Sequence, residues 1–152
     1  MMKICFVCHG NICRSPMAEF IMKELVKQEG REDEFFIESK ATHTDEIWNG
    51  TGSHIYPPAQ EELKRNNIPF DKSKRAALLG KSDADKYDLF IGMDGENIRY
   101  MHRILGNNAD GKIHKLLDYS TGVDVYDPWY SDNFELAFNS IYEGCRALLE
   151  LV

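Results

Sequence analysis

The chain has 152 residues, 43% of them hydrophobic and 28% charged, with a formal net charge of -7 and a pI of about 5.2. That balance fits one globular domain over residues 1–152 with a single apolar core, and it disfavours nucleic acids and anionic membranes as partners. No apolar run is long enough to span a bilayer.

The first predicted element is a buried strand over Lys3–Val7, a short apolar run containing Ile and Val. The stretch Met1–Val7 has neither the basic flank, the length nor the cleavage site of a signal peptide, so a cytoplasmic location is expected. Cys5, Cys8, Cys13 and Cys145 are then expected to be reduced thiols. A Gly-containing loop, Cys8–Ser15, follows the strand. Pro16 suits a first helical position with Ser15 as N-cap, and Met17, Ile21 and Leu25 fall on one helix face. Phe35–Ile37 predicts a second strand and Glu61–Asn66 a polar helix closed by Asn67 and Pro69. Tyr87–Gly92 predicts a third strand, followed by a helix over Glu96–Leu105 that Gly106 stops. Lys112–Leu117 predicts a fourth strand. The last helix carries Phe134, Phe138, Ile141, Cys145, Leu148 and Val152 in alternating steps of four and three, a stripe that faces a core.

Strands alternating with helices imply a parallel sheet covered on both faces, with ligands held at the carboxyl ends of the strands. The loop Cys8-His9-Gly10-Asn11-Ile12-Cys13-Arg14-Ser15 occupies such a place. Successive backbone N–H groups of a loop this long can curl into a nest for an anion, and the following helix adds its positive end. Gly10 permits close approach or a positive φ, and Asn11 tolerates a left-handed backbone. Arg14 offers a planar fork for phosphate oxygens. Cys8 stands at the start of this cradle, where amide dipoles, the helix end and Arg14 all favour a thiolate aligned to attack phosphorus. Ser15 can donate a hydrogen bond to that sulfur. The alternatives are a buried small hydrophobe at Cys8 and a metal site built from Cys5, Cys8 and Cys13, for which the sequence offers no convincing fourth ligand. A leaving oxygen needs a proton, and Asp127-Pro128-Trp129-Tyr130 is a candidate source, although an Asp-Pro pair is more often a simple turn.

The segment Val7–Pro16 resembles the active-site motif of the low-molecular-weight protein tyrosine phosphatases: a C-x5-R core extended as Gly-Asn-Ile-Cys-Arg-Ser-Pro. The resemblance implies a three-layer α/β/α fold with a four-stranded parallel sheet, flavodoxin-like in order 2-1-3-4. It implies Cys8 as nucleophile, Arg14 and His9–Ser15 as phosphate ligands, and Asp127 as general acid. It further implies Ser39 bracing the loop through Asn11, Ser15 as a further loop support, and Trp48, Trp129 and Tyr130 lining the substrate cleft. Cys13 would be a partner for a reversible disulfide with Cys8. The expected substrate is a phosphotyrosine protein or small aryl phosphate and the product inorganic phosphate. No cofactor or metal is expected, because Arg14 and the nest supply the positive charge.

The chain departs from the family pattern at His9, where relatives often carry a small or apolar residue. It also departs at Ser53–Pro58, where many have an Asp and an Arg, and at Lys72-Ser73-Lys74-Arg75 in place of His-x-Ala-Arg. Two rival readings share the loop. An arsenate reductase would need a cysteine pair after the third strand, and no cysteine lies between Cys13 and Cys145. A phosphate-binding module without catalysis would lack the nucleophile or the acid.

Overall fold

The computed structural model describes residues 1–152. Strand β1 (Met2–Cys8) leads through a loop into α1 (Arg14–Gln28) and back to β2 (Phe35–Ala41). A short hairpin follows, β3 (Ile47–Trp48) and β4 (Thr51–Gly52), and then α2 (Pro57–Arg65). The second half runs β5 (Leu89–Gly92), α3 (Gly95–Leu105), β6 (Ile113–Lys115) and α4 (Phe134–Leu151). The main sheet is parallel throughout, in the order β2-β1-β5-β6. The hairpin strands aside, that is the expected order 2-1-3-4.

Strand β1 shows why the layers form. Ile4, Phe6 and Cys8 enter a cluster of 31 buried residues shared with α1 and α4, while Cys5 and Val7 enter a smaller one on the opposite face with Met101 and Leu105 of α3. A central strand buried on both faces reads as a continuous apolar run. On α4 the stripe from Phe134 to Leu148 is buried against α1. Each fully buried side chain of this kind contributes about 1.5–3 kcal/mol, so the carboxyl end of β1 rests on a stiff platform.

Three local expectations are corrected, and one element is new. Helix α1 starts at Arg14, with Cys13 in the N-cap position, not at Pro16 with Ser15 as cap. The Ser15 hydroxyl is taken up by Asn11 and Cys8, and the first turn closes through Met17 N–H on Cys13 O at 3.1 Å. Pro16 fits in that turn because its missing N–H would have had no helical partner. Helix α2 starts four residues early, since Pro57 and Pro58 fix helical φ at its first positions. The fourth main strand keeps only Ile113–Lys115, because Leu116 and Leu117 turn into the core beneath α4. The hairpin was not foreseen, although Asn49-Gly50, both at positive φ (51° and 79°), is the commonest sequence signal for a tight two-residue turn.

That hairpin follows Asp45 and Glu46, which line the cleft, and its end is pinned by the segment around Arg75 and Ala76. Ala76 N–H donates to Ser53 O at 2.8 Å and Arg75 Nη1 to Gly52 O at 3.0 Å. A Cβ on Gly52 would lie 1.9 Å from Ala76 O, a backbone atom that cannot swing aside. Gly52→Ala is therefore expected to destabilise the fold by about 1–3 kcal/mol and lower Tm by roughly 3–10 °C. Calorimetry checks this, and an unchanged Tm would mean that the two segments separate freely.

Candidate active site

Cys8 ends β1 and is 4% exposed. The loop after it is tied to the rest of the fold by main-chain bonds: Thr42 N–H to Cys8 O, His43 N–H to His9 O and Tyr56 N–H to Ile12 O, at 2.9–3.1 Å. Of the two residues expected to allow a left-handed turn, Asn11 takes it (φ 59°) and Gly10 does not. The Asn11 side chain then links the loop to its supports. Its Nδ2 donates to Ser15 Oγ at 2.8 Å and to Ser39 Oγ at 2.9 Å, and its Oδ1 accepts from Ala77 N–H at 3.1 Å. The Cys8 sulfur accepts from Asn11 N–H at 3.3 Å and lies 3.0 Å from Ser15 Oγ. Ser15 already accepts from Asn11, so its own proton is free for the sulfur. Ser15 and Ser39 thus stand behind the loop, fully buried, and not in the cleft.

Arg14 is 3% exposed. Its Nη1 donates to Asp94 Oδ2 at 2.9 Å and to Val125 O at 3.1 Å, and Nη2 lies 3.5 Å from Asp127 Oδ2. Burial alone would weaken the guanidinium's hold on its proton, but the Cys8 sulfur, Asp94 and Asp127 outweigh it and push its pKa up. Asp94 divides its carboxylate: Oδ2 holds Arg14 while Oδ1 caps α3 by accepting from Asn97 N–H at 2.8 Å. An Asp directly after a strand and before a helix announces the cap, but nothing in the sequence announces an arginine 80 positions away.

These groups line a cleft of about 360 Å³ that runs from Cys8–Arg14 to Asp45, Glu46, Asp94, Glu96, Asp127, Trp129 and Tyr130. Asp127 faces the loop from the far wall and caps the turn that carries the aromatics, accepting from Trp129 N–H at 3.0 Å. Trp129 and Tyr130 are exposed. Trp48 is a correction: it is 68% exposed on the hairpin, outside both the core and the cleft lining, because the tight turn at Asn49-Gly50 leaves it at the tip. The segment leading into the hairpin offers Asp45 and Glu46 instead. His9 meets that wall: its Nε2 lies 2.8 Å from Asp45 Oδ2, and its ring stacks on His43 at 3.9 Å. The hydrogen bond to His9 holds the Asp45 carboxyl below the usual range. Neither contact is visible in sequence. Burial pushes the thiols of Cys5, Cys13 and Cys145 up, which keeps them protonated. No group of three or more His, Cys, Asp or Glu side chains is arranged to hold a metal ion. A larger surface groove of about 690 Å³ between α1 and β2 contains no cysteine.

A sulfur held by donors at the base of a cleft, beside a buried arginine and opposite a carboxylate, is equipped for phosphoryl transfer through a covalent intermediate. Comparison with known proteins agrees with that geometry. The family model described as low molecular weight phosphotyrosine protein phosphatase matches residues 3–152. The low molecular weight protein-tyrosine-phosphatase YfkJ of Bacillus subtilis is 39% identical, over 98% of this chain and 94% of its own length. Its crystal structure superposes with a TM-score of 0.90, covering 99% of this chain and 94% of its own. The low molecular weight protein-tyrosine-phosphatase PtpA of Staphylococcus aureus (strain MRSA252) is 34% identical over 100% of this chain and 94% of its own length. The crystal structure of SP-PTP, a low molecular weight protein tyrosine phosphatase from Streptococcus pyogenes, gives a TM-score of 0.88 at 36% identity and covers 100% of this chain and 93% of its own. The chain belongs to the low molecular weight phosphotyrosine protein phosphatase family.

Proposed function

We propose that this protein hydrolyses phosphotyrosine and related aryl phosphate monoesters through a cysteinyl-phosphate on Cys8. The observation that carries the reading is the sulfur of Cys8 held by Asn11 N–H and the Ser15 hydroxyl beside buried Arg14, with Asp127 across the cleft. In the first step the thiolate attacks phosphorus in line and Asp127 protonates the departing aryl oxygen. In the second, Asp127 takes a proton from water, the water oxygen bonds to phosphorus and the P–S bond breaks, releasing inorganic phosphate. Arg14 and the loop amides of residues 9–15 hold the equatorial oxygens throughout.

An aryl ester suits this cleft better than a short alkyl one. Trp129 and Tyr130 offer exposed aromatic surface beside Asp127, where the leaving ring would lie. Phosphotyrosine on cytoplasmic proteins is the natural form of such a substrate, and the net charge of -7 speaks against nucleic acid or anionic membrane as partners. Cys13 lines the same cleft as Cys8 and supplies the second thiol for a disulfide that would protect the nucleophile under oxidation.

Cys8→Ser is expected to abolish aryl phosphate turnover while phosphate still binds, as read by hydrolysis rate and by calorimetric titration. Asp127→Ala is expected to slow turnover by about 10²–10⁴ for an ester with a poor leaving group, and by far less for one with a good leaving group. Wild-type rates in both variants would overturn the assignment. A panel of phosphotyrosine and phosphoserine peptides tests the substrate class, and equal kcat/KM on the two would contradict it.

A further inference from the structure

The hydrogen bonds behind the phosphate loop continue past Ser39 to a buried charge. The Ser39 hydroxyl donates to Glu19 Oε1 at 2.6 Å. Glu19 is 4% exposed, and its other oxygen, Oε2, accepts from Lys23 Nζ at 2.6 Å. Lys74 Nζ lies 3.7 Å from Glu19 Oε1 and donates to Ser39 O at 2.9 Å. These two ammonium groups face Glu19, one from α1 and one from the segment after α2. Arg14, with Asp94 and Asp127 against it, shares the cleft with Cys8.

Donor and acceptor counting fixes the direction of each link. An ionised carboxylate only accepts, so the Ser39 proton points to Glu19 and Ser39 Oγ accepts from Asn11 Nδ2. Ala77 N–H on Asn11 Oδ1 holds the amide the same way round. The other Nδ2 proton goes to Ser15 Oγ, which leaves the Ser15 proton for the Cys8 sulfur. A buried carboxylate with its counter-charges is seldom the most stable filling for such a place. A direction imposed on the network accounts for it.

We propose that Glu19, paired with Lys23 and Lys74, is a positioning residue that makes Ser15 present a proton, not a lone pair, to Cys8. The proposal rests on Cys8 being the nucleophile. Its effect falls on the second step, when the P–S bond breaks, the electron pair returns to Sγ and the water proton passes to Asp127. A hydrogen bond to the departing thiolate is charge-assisted and strong.

In Glu19→Gln the lysines claim the one remaining oxygen and turn the amide NH2 toward Ser39, so two donors meet at Ser39 Oγ and its own proton loses its acceptor. Burst kinetics on a chromogenic aryl phosphate separate the two steps, and dividing the steady-state rate by the burst amplitude removes any loss from unfolded protein. In the full chain, Glu19→Gln and Lys74→Met are expected to lower that ratio roughly tenfold. Inhibition by inorganic phosphate should stay unchanged, and Lys74→Arg should restore most of the rate. Wild-type ratios in both Glu19→Gln and Lys74→Met would overturn the proposal alone. Turnover by Cys8→Ser would overturn the nucleophile reading and this proposal with it.

Discussion

A cysteine sulfur that is to carry negative charge inside a protein needs hydrogen-bond donors that cannot turn away. At Cys8 these are a main-chain N–H and a serine hydroxyl, with a guanidinium beside them that is itself almost fully buried. Much of the surrounding structure serves that requirement. The loop is stitched to the residues just after β2 and to the segment before α2, which holds its backbone in place. Asn11 accepts a left-handed backbone and uses its amide on three different partners. Asp94 holds the arginine while capping a helix, so that the rigidity of α3 reaches the cleft.

The same requirement explains how an acidic protein can bind a dianion. Charge summed over the molecule repels the substrate, and at physiological ionic strength that repulsion fades within about 8 Å. In the proposed reading the loop amides, the helix end and Arg14 act on the phosphoryl group at short range, where water screens them little. The carboxylates of Asp45, Glu46 and Glu96 form the rim. His9, 2.8 Å from Asp45, brings an ionisable ring between that rim and the loop.

The fold was legible because its signals are local. Lys3–Val7 reads as a strand buried on both faces, the stripe on α4 repeats at helical spacing, and alternation of elements leaves few topologies to choose from. Cys8 and Arg14 were legible because they sit within one loop. The parts that escaped depend on contacts between distant segments: Asp94 with Arg14, Glu19 with Ser39 and Lys74, His9 with Asp45. Periodicity tells which face a residue occupies and not which partner it meets. Trp48 was misplaced for a related reason, since a two-residue turn decides whether its ring faces the cleft or solvent.

Alkylation by iodoacetate at neutral pH, followed residue by residue by mass spectrometry, tests directly whether the fold singles out one sulfur. Cys5, Cys13 and Cys145 are buried thiols held protonated, so they serve as internal references. Cys8 is expected to be modified well ahead of all three and faster than a thiol in the unfolded chain, and inorganic phosphate should protect it. A Cys8 that reacts no faster than an unfolded thiol, with or without phosphate, would contradict the idea that the loop exists to hold its charge.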